Sequence, residues 1–379
     1  MKDKYFIIGG GTLQKKFVEK VKKLGFETHI FDYNPDCVCS KLADVFHCIS
    51  IDAKETILDV AKKLKPIAVQ SVATEKGNIT ACYVGNKLGL NCNSYNTSIN
   101  THDKSLMKKI FLNNKIKSAD YIQVDDIKNV NINEIEFPAV VKPSDSSAGR
   151  GILMVMNKKE LIEAFNDSLT ETSNGIVIIE EYVEGKQFSV ETISYNGKHQ
   201  IVAITEEFTS GPPLFLELEH LVPARLSEKT FEKIKNFSIN ALNCFDILYG
   251  ASHIEIKIFN DDIFIIEIAS RMGGLRDELI EISTGIDYLE LIVNTSIGKE
   301  VFLKPKKKSH ALAKFVYSKS DLFIYKEILN KKHSPITKTE VSKNFDETIK
   351  AKNLMDSQGF YYLEVSDIKL INNYLYKNY

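Results

Sequence analysis

The chain has 379 residues, too many for one compact core, which predicts two or three domains. Its 44% apolar and 26% charged residues are ordinary for a globular protein, and a net charge of −1 gives no electrostatic case for a nucleic-acid partner. No apolar run is long enough for a bilayer, and the chain runs into a strand at Tyr5 without a signal peptide. Cysteines at 37, 39, 48, 82, 92 and 244 form no Cys-x-x-Cys. The expectation is a cytoplasmic protein with structural thiols, no membrane contact and no zinc site.

The first ~95 residues alternate strand and helix, the pattern of a parallel sheet. Tyr5–Ile8 is a strand, Gln14–Leu24 an amphipathic helix and Glu27–Asp32 a second strand. Lys54–Leu64 is helical before Pro66, Ile67–Ser71 is a buried strand, and Asn78–Leu88 is a helix ended by Gly89. Gly9 to Gly11 followed by Asp32 invites a dinucleotide reading, but Gln14 stands where the last glycine of Gly-x-Gly-x-x-Gly belongs. The better expectation is a turn that offers backbone N–H groups to a phosphate or carboxylate of a substrate.

Thr101–Asn114 reads as a helix opening with Asp103 and Lys104. Phe137–Lys142 is a strand ending in a lysine, and Ser144 to Gly151 is a run of small and polar residues. A point charge on a stiff element beside a loop that can close suits a triphosphate, although no P-loop is present. Ile152–Met156, Lys158–Asn166 and Gly175–Tyr182 read as strand, helix and strand. The last of these runs apolar residues into Glu180 and Glu181. Gln187–Tyr195 and His199–Thr205 form a hairpin through Asn196-Gly197-Lys198, and Phe208–Glu219 reads as a loop. Glu228–Phe245 is a long helix. The segment from about 305 is mixed α/β, and Lys304 to Lys308 reads as a solvated linker.

Between His253 and Arg271, two β-rich runs flank a turn of Asn260, Asp261 and Asp262. Folded about Asp261, Phe259 meets Ile263, Lys257 meets Ile265, and Glu255 lands opposite Glu267. Opposed side chains sit with Cβ atoms ~4.5–5.5 Å apart, and like charges there repel. A hard cation with oxygen ligands would satisfy the pair. A one-residue bulge would spoil it. Met272-Gly273-Gly274 then breaks the chain before a helix at Asp277–Thr284.

Lys104, Lys142 before its small-residue loop, Glu180–Val183, and Glu255 with Glu267 and Arg271 stand in one order, and that order resembles the ATP-grasp superfamily of carboxylate–amine ligases. The resemblance covers about residues 1 to 300. Ala43-Asp44-Val45 and Ile67–Thr74 look like the pre-ATP-grasp domain of the biotin carboxylase and carbamoyl-phosphate synthetase branch. Within that branch, Ile266 to Gly274 is most similar to L-amino-acid ligases. The fold implied is α/β and α+β: a Rossmann-like pre-ATP-grasp domain over 1–98, a two-lobed ATP-grasp fold over 99–300 with a lid at about 115–182, and a small C-terminal α/β unit over 301–379.

The resemblance also implies roles. Lys104 and Lys142 would contact ATP phosphates, covered by Ser144, Ser147, Gly149 and Gly151. Glu180 would take the adenine amino group, with Glu181 and Val183 supplying backbone contacts and Gln187 at the ribose position. Glu255 and Glu267 would hold Mg²⁺ or Mn²⁺. Many members carry a further ligand, Asn, where Ala269 stands here. Arg271 would face the reacting groups together with Gly273 and Gly274. Arg276 would meet a substrate carboxylate. His220 and His253 are candidate bases, although a lone His beside a strand is more often structural. The implied reaction joins a small-molecule carboxylate, with an amino acid as one substrate, to an amine through an acyl phosphate. The rivals are a carboxylase acting on bicarbonate and a non-catalytic ATP-binding protein. A homodimer is the default assembly.

Overall fold

The computed structural model describes residues 2–375, in which the strands sort into three sheets in chain order. The first holds β1 (Lys4–Ile8), β2 (Glu27–Asp32), β3 (Val45–Cys48) and β4 (Ala68–Gln70), all parallel, in the order β3-β2-β1-β4. Helix α1 (Lys15–Lys23) joins β1 to β2 and α2 (Lys54–Leu64) joins β3 to β4, and α3 (Glu75–Leu88) follows β4. Period-two alternation sends Tyr5 and Ile7 to one face with Phe17, Val18 and Val21 of α1. It sends Phe6 and Ile8 to the other, with Ile57 and Leu58 of α2 and Ala81 and Val84 of α3.

Helices α4 (Tyr95–Asn100) and α5 (Lys104–Asn113) lead to a small sheet of β5 (Tyr121–Val124), β6 (Ala139–Pro143), β7 (Leu153–Val155) and β8 (Val177–Glu181), ordered β5-β8-β6-β7. It packs on α6 (Lys158–Thr170) through Leu161, Ala164 and Phe165. The third sheet takes β9 (Lys186–Tyr195), β10 (Lys198–Thr209), β11 (Glu217–Val222), β12 (Gly250–Phe259), β13 (Asp262–Ala269), β14 (His310–Phe315), β15 (Ile336–Thr339) and β16 (Phe360–Val365). It is flanked by α7 (Glu228–Cys244), α8 (Arg276–Thr284) and α9 (Tyr288–Ser296).

Three expectations change. The loop expected over Phe208–Glu219 shrinks to 210–216, because β10 runs on to Thr209 and β11 begins at Glu217. The segment beyond 301 is not a separate sheet: β14 pairs with β11, and β16 and β15 follow, so the C-terminal strands extend the third sheet. The β12–β13 turn is the two-residue Asn260-Asp261, both with positive φ, so Phe259 pairs with Asp262 and Lys257 with Phe264. A bulge beyond Glu255 then restores the register, and Glu255 does face Glu267. Among the described residues no helix is long and apolar enough to cross a membrane.

Gly185 joins the small sheet to the third sheet at φ +109°, and a Cβ there would lie 2.2 Å from the carbonyl oxygen of Ile258. We expect Gly185→Ala to cost about 2–3 kcal/mol, read as a lower urea midpoint with an unchanged slope.

Candidate active site

A cavity of about 1110 Å³ lies where the three sheets converge. The first sheet contributes the segments that follow β1 and β4, Gly11–Gln14 and Ala73–Lys76. Strand order reverses between these two strands, and ligands of doubly wound sheets bind at that crevice. Gln14 Nε2 ties the two segments together by donating to the Val72 carbonyl at 2.7 Å. Asp32 Oδ2 accepts from Gly10 N–H at 2.8 Å, so the carboxylate of the rejected dinucleotide pattern holds the turn itself.

On α5, capped by Asp103, Lys104 and Lys108 stand four residues apart and share one face. Both are buried and line the cavity. Lys104 Nζ donates to the Ser146 carbonyl at 2.8 Å and lies 3.3 Å from Glu267. Lys108, which the sequence reading missed, donates to the Ala119 carbonyl at 3.0 Å and pairs with Glu180 at 2.7 Å. Its i,i+4 spacing from Lys104 was the available signal. Lys142, at the end of β6, pairs with the other oxygen of Glu180 at 2.5 Å. Burial alone would raise the Glu180 carboxyl, but Lys142 and Lys108 hold it down to about 2. Glu180 is therefore engaged by two ammonium groups, rather than standing free for a base amino group.

The loop after β6 is pinned at Asp145, whose Oδ1 accepts from Thr172 Oγ1 at 2.6 Å and Ser173 N–H at 3.1 Å. Ser147 and Gly149 line the cavity together with Ser146, whose hydroxyl is buried and unpaired. Ser144 and Gly151 do not. Ser144 donates to Asn174 at 2.9 Å, and Gly151 packs against Pro143 and Glu171. Glu181, Tyr182, Val183 and Gln187 line the wall beyond β8. Lys257 Nζ donates to the Val183 carbonyl at 2.8 Å and sits 4.5 Å from the centre of the Tyr182 ring. Burial pushes the Lys257 ammonium down to about 8.

On the third sheet, Gln187, Ser189 and Glu191 of β9 share one face and pair in register with Lys257, Glu255 and His253 of β12. His253 bonds Glu191 through Nδ1 and lies 3.2 Å from Glu255 through Nε2. Burial would lower its pKa, but Glu191 and Glu255 drive it up to about 10, so it stays an imidazolium and is not available as a base. Glu255 is pushed up to about 7 by burial and then by Glu267 opposite. Burial would raise Glu267 too, but Lys104, Lys142 and Arg271 hold it near 2. Their side chains remain 23% and 24% exposed, toward the cavity. Two facing carboxylates, one of them kept from ionising by burial and by the other, form a pair that a divalent cation would relieve. No third His, Cys, Asp or Glu completes a cluster among the described residues, so remaining ligands would be phosphate oxygens and water.

Arg271 pairs with Glu75, at the start of α3, at 2.6 Å. The sequence reading missed this partner, 196 positions away. Arg271 Nε and Glu75 Oε2 are buried without a partner. Arg276 is more deeply committed. Nη2 donates to Glu207 at 2.5 Å and Nη1 to His220 Nδ1 at 2.6 Å. An arginine N–H can only donate, so His220 Nδ1 accepts and Nε2 carries the hydrogen; Nε2 lies 3.0 Å from Glu217 without forming a hydrogen bond. His220 is structural here. Gly273 N–H donates to Glu191 at 3.2 Å, and a Cβ at Gly273 would lie 2.6 Å from His253. Gly273 thus backs the buried network, while Gly274 faces the cavity.

Residues 135–278 match the family model described as the ATP-grasp domain. The chain carries an ATP-grasp domain. This places it in the superfamily of ATP-dependent, ADP-forming carboxylate–amine ligases. It is 26% identical over 325 residues to a formate-dependent phosphoribosylglycinamide formyltransferase of Prochlorococcus marinus, covering 80% of this chain and 79% of that one. It is 24% identical to a carbamoyl phosphate synthase large chain of Clostridium acetobutylicum, again over 80% of this chain but only 29% of that protein. The ATP-grasp fold extends beyond the matched segment. The solved L-amino acid ligase of Bacillus licheniformis superposes with a TM-score of 0.81 over 99% of this chain and 96% of that one, at 18% identity.

Two consequences are measurable. In EDTA at pH 8, Glu255→Gln should melt at the same temperature as the parent or higher, because it removes an acid whose ionisation the fold disfavours. For Lys108→Met we expect about 3 kcal/mol of destabilisation at pH 7, from leaving Glu180 with one cation. A depressed acid contributes stability that is full above its unfolded pKa and lost as pH falls through the folded one. The window therefore runs from about 4.5 down to about 2. Urea unfolding of Lys108→Met should show a shallower acid slope across it.

Proposed function

We propose that the protein joins a small-molecule carboxylate to an amine, with an amino acid as one substrate, by way of an acyl phosphate. The observation that carries this reading is the wall where Glu255 and Glu267 face each other beside Lys104, Lys142 and Arg271. A carboxylate resists amine attack because its leaving group would be oxide. Transfer of the ATP γ-phosphoryl group to a carboxylate oxygen releases ADP and supplies phosphate as the leaving group. The amine nitrogen then displaces phosphate, loses a proton and forms the amide.

Each cavity residue has a task in that sequence. Lys104 and Lys142 meet phosphate oxygens and offset the repulsion between triphosphate and carboxylate. A Mg²⁺ ion held by Glu255 and Glu267 would screen the same charge. Arg271 meets the substrate carboxylate and the transferring phosphoryl group, and Glu75 aligns its guanidinium. Arg276, braced by Glu207 and His220, supports that wall. The segment Glu181–Val183 receives the base, and Gln187 the ribose. The acyl phosphate needs a dry site. The small sheet, read as the lid over 115–182, and the 210–216 loop exclude water. Pro213 of that loop accepts from Met154 N–H at 3.1 Å, and Phe215 stacks on Tyr182 at 5.8 Å. Residues 1–98 present the β1 and β4 turns to the substrate.

The expected outcome for Arg271→Ala is a turnover roughly 10²–10³ lower, the usual loss for one transition-state donor. Nucleotide affinity by calorimetry should change far less, since Lys104 and Lys142 remain. Hydroxylamine traps an acyl phosphate as a hydroxamate, and the variant should form less at saturating ATP. If the parent protein forms none with any carboxylate yet cleaves ATP with bicarbonate, it is a carboxylase.

A further inference from the structure

We infer that the activated carboxylate belongs to an α-amino acid with a large apolar side chain, held by the wall that the C-terminal strands add to the cavity. The inference rests on the ligase reading above and specifies its substrate.

That wall comes from four separate segments. Leu13 follows β1, Leu275 follows the Gly273-Gly274 break, Phe315 ends β14, and Leu354, Met355 and Phe360 lead into β16. Phe315 and Phe360 are register partners with ring centres 6.2 Å apart. Leu275, Phe315, Leu354 and Phe360 belong to one packed cluster, which gives the wall a rigid backing. Leu13 and Met355 are 45% and 72% exposed at the same cavity. Large apolar side chains standing in the open inside a ligand cavity are surface that a bound apolar group would remove from water.

The apolar wall adjoins groups of both signs. Phe315 lies edge-on to His220 at 5.2 Å, and His220 sits between Arg276, which donates to it, and Glu217, 3.0 Å away, which also lines the cavity. Arg271 and Glu75 form a second pair, each with a buried atom lacking a partner. An α-amino acid presents a carboxylate, an ammonium and a side chain on one carbon. The carboxylate matches Arg271, the ammonium matches Glu75 or Glu217, and the side chain falls on the apolar wall. A phosphorylated substrate fits poorly: among the described residues, positions 310–375 bring no lysine or arginine to the cavity, and a dianion against Phe315, Leu354 and Phe360 would lose its hydration uncompensated.

The test is hydroxamate formation by the full chain with ATP, Mg²⁺ and hydroxylamine, across glycine, alanine, leucine, methionine, phenylalanine, glutamate and lysine. ADP release is followed in parallel with a phosphorylated sugar amine and glycine as the pair. Leucine, methionine or phenylalanine should exceed glycine in kcat/KM by at least about 10-fold. Leu354→Ala and Met355→Ala should lower kcat/KM for the preferred large donor by about 10-fold and leave alanine within about twofold. Melting temperatures identify any variant that fails to fold, and Met355, on the exposed rim, is the safer of the two. Preference for glutamate, lysine or the phosphorylated amine, or an equal loss for all donors in both variants, would overturn the inference while leaving the ligase reading intact. Absence of hydroxamate from every carboxylate, with ATP cleaved in bicarbonate, would overturn the ligase reading itself.

Discussion

The cleft is organised by the cost of burying charge. Glu180, Glu191, Glu207, Glu255 and Glu267 stand in or behind the cavity wall, and an isolated carboxylate there would lose its hydration without return. Lys104, Lys108, Lys142, His253, Arg271 and Arg276 answer them. The balance is not uniform, and its unevenness marks the site. Glu180 has two ammonium partners, Glu191 has an imidazolium, and Glu207 has a guanidinium. Glu255 has only a shared imidazolium and a like charge opposite. That local shortfall at Glu255 is where a metal cation fits, and the ammonium and guanidinium groups beside it are where a polyphosphate fits.

The rest of the architecture serves this arrangement. The first sheet reverses direction between β1 and β4, so the turns that follow them open toward the third sheet, and Glu75 reaches Arg271. Helix α5 aims its first turns into the cleft because Asp103 caps it and Asn174 holds the cap at 3.0 Å. The small sheet closes from above through Lys142, and its edge strand β7 takes the 210–216 loop by a backbone hydrogen bond. The C-terminal strands are a working part of the cavity: by continuing the third sheet they carry Phe315 and Phe360 to its wall.

The β12–β13 hairpin shows how a sequence argument can reach a correct contact along an inexact path. A three-residue turn and a regular ladder would place Glu255 against Glu267. The chain instead makes a two-residue turn and then a bulge, and the two one-residue offsets cancel. The turn follows from Asn and Asp tolerating positive φ. The bulge follows from burial: Ile254, Ile256, Ile265 and Ile268 all reach the core under α7, and an extra residue lets both carboxylates keep the cavity face.

Local pattern predicted most of the strands and helices through residue 300, the small-residue loop between β6 and β7, and the facing acids, while Lys104 and Lys142 stood out only through the order they share with the ATP-grasp superfamily. The elements, the loop and the acids are matters of periodicity, capping or spacing within a few dozen residues. Tertiary structure decided the partners. Lys108 lay in plain view on the helical face of Lys104, yet its value depends on Glu180, brought to it by a different sheet. Glu75 acquires a role only because two sheets meet. Glu191 and Glu207 sit on strands buried on both faces, where polar alternation is visible but its counter-ions are not. His253 was open to either a structural or a basic role in the sequence, and the two carboxylates around it, against the effect of burial, hold it as a cation. A sequence specifies which groups a chain carries and which way short segments point them. The protonation and pairing of a buried group depend on what the fold packs around it, because in a medium of low dielectric the neighbours, and not the residue itself, set the energy of a charge.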